Sequence, residues 1–181
     1  MLRTAAVLLC ALFLGACQTT AQRGPDSPWY PPPVGSTLTL KVPLTIPPEQ
    51  VSLYFQDGKL LRGSGRDQFR PWCKFEHRLR VPEPIEVHPD TFTVTRVERR
   101  IDQVLGMPAP APAFRRVFLH LEDDSPSHLT YATRLYLSSP RQPDVLRLTC
   151  GHWGDGTPSS RHLTLNEMRE ALGESFSLET P

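Results

Sequence analysis

The longest alternating stretch of this sequence is HLTYATRLYL, at positions 128–137. Every second residue falls on the same face of an extended chain, and that face carries Leu129, Tyr131, Thr133, Leu135 and Leu137. Strict alternation indicates a β-strand with one face towards a core and the other towards solvent. We therefore predict a strand over 128–137.

Shorter segments of similar character lie on both sides of this stretch. They are rich in β-branched, aromatic and other apolar residues, which favour strands, and they cover 37–42, 51–56, 59–61, 71–81, 85–87, 91–97, 114–121, 145–150 and 176–178. Asp57-Gly58 separates two of them and is a strong hairpin signal. The predicted fold is mostly β: an antiparallel sandwich or a partly open barrel.

The hydrophobic period changes near the C-terminus. Thr164 and Glu167 have the spacing of a helix capping box. Apolar residues then recur at helical spacing as far as Leu172, and Gly173 is a suitable stop. We predict one short C-terminal helix of roughly two turns.

Residues 1–16 have the composition of a targeting segment. Arg3 precedes an apolar run over 5–14, which is too short to span a bilayer because roughly 20 residues are needed. The run ends in Leu14-Gly15-Ala16-Cys17, a branched apolar residue and two small residues before a cysteine.

This stretch resembles the lipobox of bacterial lipoproteins, and the chain as a whole resembles the uncharacterised outer-membrane lipoproteins of proteobacteria. The resemblance implies that residues 1–16 are a lipoprotein signal peptide and that acyl chains on Cys17 anchor the mature protein to a membrane. Gln18, where aspartate would retain a lipoprotein at the inner membrane, implies the periplasmic face of the outer membrane. The alternative is a cleaved secretory signal with a chance cysteine.

A proline-rich segment follows the anchor. Residues 17–35 contain five prolines, which favour extended polyproline II, so we expect a tether ahead of a single globular domain over 36–181. Trp29 and Tyr30 could be a ligand for another protein or could pack on the edge of the domain.

Cysteine usage suggests one disulfide. If Cys10 leaves with the signal peptide and Cys17 is acylated, only Cys73 and Cys150 remain, and an oxidising compartment favours a bond between them. Both fall on apolar faces of predicted strands, as a bond across a core would require. Two buried free thiols are the alternative.

The charge balance argues against nucleic acid as a partner. The chain has 20 Lys and Arg against 19 Asp and Glu, and loss of Arg3 with the signal peptide leaves equal numbers. Nucleic-acid binding needs clustered bases. The densest basic residues, Arg96, Arg99, Arg100, Arg115 and Arg116, could contact acidic glycans or lipid headgroups, or could form a solvated face.

No catalytic, metal or cofactor motif is discernible. The six histidines lack metal-ligand spacing, and the sequence has no nucleophile elbow, no recognisable carboxylate pair for glycan cleavage and no phosphate-binding glycine loop. We expect no cofactor and no metal. A Ser, His and Asp constellation could still assemble in space from distant parts of the chain.

The best candidate binding surface is a glycine-rich segment at 151–156, directly after Cys150. It offers His152, Trp153 and Asp155, and Arg161 and His162 could join it; Trp153 could instead cover the disulfide. The leading hypothesis is a non-enzymatic binding or accessory lipoprotein with an envelope protein or glycan as partner. The alternatives are an inhibitor of a cell-wall lytic enzyme, with this segment as a loop plug, and an envelope hydrolase.

Overall fold

The computed structural model describes residues 24–63, 65–104, 128–157 and 159–181, which form a mostly β fold with a single short helix near the C-terminus. The strands, in chain order, are β1 Thr37–Leu40, β2 Leu44–Ile46, β3 Ser52–Gln56, β4 Lys59–Leu61, β5 Trp72–His77, β6 Ile85–Val87, β7 Asp90–Val104, β8 His128–Ser138, β9 Val145–Gly154 and β10 Phe176–Glu179. The helix, α1, spans Leu165–Leu172 and leads into a 3-10 turn at Gly173–Ser175.

Eight strands form one curled antiparallel sheet in the order β10-β1-β7-β8-β9-β5-β3-β4. The sheet is a half-barrel, so the partly open barrel is the architecture that forms and the sandwich is not. β2 and β6 pair separately as a two-stranded ribbon. The strand predicted over 114–121 lies outside the described residues.

The core fills the inner face of this half-barrel. Leu135 on β8 and Leu148 on β9 are fully buried and directly paired, as the alternation predicts. The same face continues through Phe92 on β7 and Phe75 on β5, whose rings meet edge to face at 6.0 Å. The period-two pattern therefore identified the buried face of β8 correctly.

Helix α1 lies across the opening of the half-barrel. The predicted capping box is present: Thr164 Oγ1 accepts from the Glu167 N–H at 3.1 Å, and Glu167 accepts from the Thr164 N–H at 2.7 Å. The apolar side of the helix packs on β3, β5 and β10. Because β10 is one edge of the sheet and β3 lies next to the other edge, the helix joins the two ends of the curl.

The end of the helix docks on the predicted hairpin. Asp57 and Gly58 both have positive φ, 52° and 73°, as a type I′ turn between β3 and β4 requires. The Gly58 N–H donates to the carbonyl of Ala171 at 3.2 Å. Gly173 stops the helix at φ 60°, and a Cβ there would lie 2.4 Å from Gly58 Cα. Both glycines are therefore needed for backbone contact between turn and helix.

The predicted disulfide between Cys73 and Cys150 is present, but it does not cross the core. The two cysteines are directly paired on neighbouring strands β5 and β9, with Cα atoms 4.0 Å apart. Met168 of α1 covers the bond, since its carbonyl lies 3.7 Å from Cys73 Sγ. The bond links segments 77 residues apart in sequence within one sheet.

The strand predicted over 71–81 is shorter in the structure, and its outer face is less open to solvent than its charged residues suggest. Alternation over 71–81 would place Leu79 on the same face as Cys73 and Glu76 on the opposite, mostly charged face. In the structure β5 ends at His77 with an irregular register, Leu79 is 49% exposed, and Glu76 is only 6% exposed. Arg147 Nε donates to its carboxylate at 2.6 Å, and Thr149 Oγ1 donates at 2.7 Å. A hydrogen-bonded network on the outer face thus shields this carboxylate from water.

The described part of the expected tether packs on the domain. Ser27 is buried, and tight turns hold the segment through hydrogen bonds from the Ser27 N–H to Gly24 and from the Tyr30 N–H to Ser27. The N–H of Asn166, in the first turn of α1, donates to the carbonyl of Pro25 at 3.3 Å. Residues 24–35 therefore cover the body of the domain instead of extending from it.

Candidate binding cleft

Strand β9 places His152 and Trp153 of the candidate surface on opposite faces of the sheet. It continues to Gly154, so Gly151–Gly154 are paired with β8 and do not form the expected flexible loop. Neighbouring residues on a strand point to opposite faces. His152 therefore lies on the inner face, opposite Tyr131, and Trp153 lies on the outer face. A loop plug at 151–154 is wrong as a description of this segment.

His152 is held firmly on the inner face. Its ring stacks on Tyr131 with centroids 6.0 Å apart. Its Nδ1 lies 2.9 Å from the carbonyl oxygen of Trp153, and its Nε2 lies 2.7 Å from that of Arg161. These contacts tie the end of β9 to the segment before α1. They also bring His162 edge-on to Tyr131 at 5.7 Å.

His162 is in a position that disfavours its charged form. Burial, and then the positive charge of Arg99 and the proximity of His152, lower its pKa from 6.5 to about 4. Its Nδ1 is buried and has no hydrogen-bond partner among the described residues. His162 is therefore a neutral ring at physiological pH and supplies polar surface without charge.

Arg161 is neutralised by a carboxylate of the helix. Its two terminal nitrogens each donate to Glu167 at 2.7 Å, a bidentate pair. The pair, together with the capping bonds of Thr164, lowers the pKa of Glu167 to about 2. Arg161 therefore fixes the start of α1 and has little charge left for a ligand.

Among the described residues, no carboxylate pairs with Arg99. It comes from the basic run on β7, where Arg96 and Arg100 pair with Glu98 on the outer face while Arg99 points inwards. One terminal nitrogen of Arg99 donates to the carbonyl of Pro28, and its Nε is buried without a partner among the described residues. Burial lowers its pKa. Arg115 and Arg116 lie outside the described residues.

Arg99, Arg161 and His162 line a cleft of about 610 Å³ on the inner face of the sheet, near the end of β7 and the start of β8. Its apolar walls are Trp29, Ile101 and Tyr131, and its polar lining includes Arg99, Arg161 and His162. Tyr131 is buried, whereas Trp29 is 80% exposed and Ile101 is 56% exposed, so these two form an open rim. Within the described chain, no Asp or Glu side chain lines the cleft.

The remaining two candidate residues lie apart from this cleft. Trp153 stacks on His128 at 5.4 Å and meets Phe69 edge-on at 5.8 Å, so it forms an outer aromatic cluster and does not cover the disulfide. Asp155 accepts from Thr157 and Ser160 in the turn that follows β9. These bonds, with Thr157 the main donor, lower its pKa to about 2. Asp155 is thus a turn-stabilising carboxylate.

The geometry offers no assembled catalytic centre within the described ranges. No serine or carboxylate there hydrogen-bonds to a histidine ring, and no three His, Cys, Asp or Glu side chains converge as metal ligands. In the same part of the chain, no helix is long and apolar enough to cross a bilayer. The cleft presents a cation, fixed rings and hydroxyl groups.

Most of the cleft lining was absent from the sequence-based candidate surface, including the three residues that β7 and β8 contribute, Tyr131, Ile101 and Arg99. Tyr131 was read only as core, and Arg99 only as one of several bases. The pairing of β7 with β8, Ile101 opposite Tyr131 and Arg99 opposite Thr133, unites them. No signal within a single segment could have found this pairing.

No protein-family model, curated protein or solved structure matches this chain.

Proposed function

We propose that this protein is a non-enzymatic binding protein of the bacterial cell envelope, acylated at Cys17 and held at the periplasmic face of the outer membrane. The lipobox-like stretch over 14–17 supports the anchor. The Cys73–Cys150 bond supports an oxidising compartment, because disulfides persist there and are rare in the cytosol.

The cleft is the binding site in this proposal, and the observation that carries it is the state of Arg99. Arg99 is a partly desolvated cation without a carboxylate partner among the described residues, which is costly, and a ligand anion that pairs with it offsets that cost. The ligand therefore carries an acidic group next to an apolar or ring-shaped portion that contacts Trp29 and Ile101. An envelope protein or an acidic glycan could present such a group.

Neither alternative function gains support from the described residues. The lytic-enzyme inhibitor depended on a projecting loop, whereas Gly151–Gly154 belong to β9. The hydrolase required a nucleophile next to a base, whereas Ser160 bonds to Asp155 and both ring nitrogens of His152 face carbonyl oxygens.

In-cell photocrosslinking tests the binding role directly. A photoreactive residue replaces Ile101 on the rim of the cleft, and the matched control places it at Leu79, which is similarly exposed outside the cleft lining. The protein is crosslinked in its native cell and extracted with detergent, and the mass of the adduct is determined. We expect one major adduct, whether protein, glycan or lipid, from position 101 and not from position 79.

Arg99→Ala should strongly reduce that adduct, since the charge-assisted contact is lost. No adduct at position 101, or the same adduct at both positions, would show that the cleft is not a specific site.

A further inference from the structure

The course of the N-terminal segment limits how far the cleft can lie from the membrane. Gly24 begins the described chain, and consecutive turns carry it to Pro28 and Trp29, which form part of the cleft wall. Asp26 and Pro25 are both hydrogen-bonded to Asn166 at the start of α1. The chain therefore enters the domain beside the cleft.

Only seven virtual bonds separate Cys17 from Gly24. At most about 3.6 Å per residue is available, so the acylated residue lies within about 25 Å of Gly24 whatever conformation the link adopts. A tether over 17–35 would have allowed a much longer reach. Because residues 24–35 pack on the domain, an acyl anchor at Cys17 would hold the point where the chain enters, beside the cleft, within about that distance of the lipid surface.

The rim of the cleft has the chemistry of a surface that meets lipid. Trp29 is the most exposed large apolar residue of the described chain, at 80%, and it stands beside Ile101. Tryptophan favours the membrane–water interface because its ring is amphipathic.

Arg99 supplies a positive charge that complements the negative charge of a lipid phosphate. A guanidinium binds phosphate oxygens well, and the absence of Asp and Glu from the described lining leaves its charge uncompensated. Arg161 is already engaged by Glu167, and His162 is neutral, so Arg99 is the main cationic group at this position.

We propose that the cleft rests on the bilayer that carries the acyl anchor, with Trp29 and Ile101 in the interface and Arg99 on the phosphate of an anionic phospholipid headgroup. This inference rests on the proposed acylation of Cys17 and names the ligand class of the same cleft. The anchor supplies membrane affinity, and the cleft fixes the orientation of the domain on the surface.

The test uses the mature chain from residue 17 with Cys17→Ser, so that no acyl chain contributes to binding. The probes are vesicles of phosphatidylglycerol mixed with phosphatidylcholine, vesicles of phosphatidylcholine alone, and inorganic phosphate. Binding is followed by co-sedimentation and by the blue shift of tryptophan emission, with Trp29→Phe assigning the signal among Trp29, Trp72 and Trp153.

We expect binding to the anionic vesicles, with a blue shift that disappears in Trp29→Phe. Arg99→Ala should bind about fivefold more weakly, since a base near an anionic surface contributes about that factor. Arg80→Ala is the matched control: its side chain is 68% exposed and pairs with Glu49 outside this cleft. Ile101→Glu, a change at an exposed rim position, should also weaken binding and covers the case in which Arg99→Ala fails to fold.

Three results would overturn the proposal: no binding to anionic vesicles, equal loss in Arg99→Ala and Arg80→Ala, or the same spectral shift with inorganic phosphate. A protein or glycan adduct at position 101 in cells, combined with no vesicle binding, would reject the lipid inference and leave the proposed binding function standing.

Discussion

Reduction of the Cys73–Cys150 bond should lower the free energy of unfolding, because the bond restricts the conformational entropy of the unfolded chain. The bond closes a loop with a sequence separation of 77, for which the entropy relation gives about 4.5 kcal/mol at 25 °C. The native state should change little, because backbone pairing between β5 and β9 holds the two residues opposite each other. Unfolded chains are more compact than the relation assumes, so we expect a loss of about 3 to 4.5 kcal/mol.

Urea unfolding of the mature Cys17→Ser chain, with and without a thiol reductant, measures this loss. With a slope of about 2 kcal/mol per molar, the midpoint should fall by about 1.5 to 2.3 M. The double variant Cys73→Ala/Cys150→Ala is the control, since its midpoint should not respond to reductant. A fall of less than about 0.5 M in the disulfide-bonded chain would refute the view that the bond constrains a long unfolded loop.

Three further predictions concern other contacts. Gly173→Ala should lower the free energy of unfolding by about 3 kcal/mol in urea titrations, because its Cβ would meet the backbone of Gly58 at a positive φ; Gly24→Ala, with open space around it, should change little. Arg147→Met should lower the free energy of unfolding by about 3 kcal/mol, because Glu76 stays buried without its main partner. Adding Glu76→Gln to this variant should restore part of that loss. Equal stability of the single and the double variant would contradict this explanation. The free energy of unfolding should also fall as the pH drops from about 6.5 to 4, because His162 takes up a proton in the unfolded chain but not in the folded one, and His162→Phe should flatten that part of the profile.

Local features were predictable from the sequence because their causes are local. The capping box of Thr164 and Glu167 and the Asp57-Gly58 turn depend on residues within three or four positions of one another. The face of β8 was predictable because its alternation is unbroken from Leu129 to Leu137.

The inward orientation of Arg99 was not predictable, and a β-bulge is the reason. The register of β7 against β8 shifts between Val94 and Arg96, so one extra residue reverses the alternation. After the bulge Val97 and Arg99 face inwards, whereas an unbroken pattern would have placed Arg96 and Glu98 there. The cleft exists because of this reversal, and no rule of alternation applied to one strand reveals it.

The position of the disulfide needed strand order for the same reason. Both cysteines were expected on apolar faces, and they are, but sequence alone left open whether β5 and β9 were neighbours or opposed across a core. Residues 24–35 were misjudged because five nearby prolines suggest extension, whereas hydrogen bonds from the Asn166 N–H and the Arg99 guanidinium to carbonyls of this segment hold it on the domain.

The intact mass of the chain purified from native membranes tests the proposed acyl anchor, on which the binding role in the envelope depends. We expect a polypeptide that begins at Cys17 and carries the additional mass of acyl chains on that residue. A chain that begins elsewhere, or begins at Cys17 without lipid, would contradict the anchor and with it the orientation of the cleft towards the membrane.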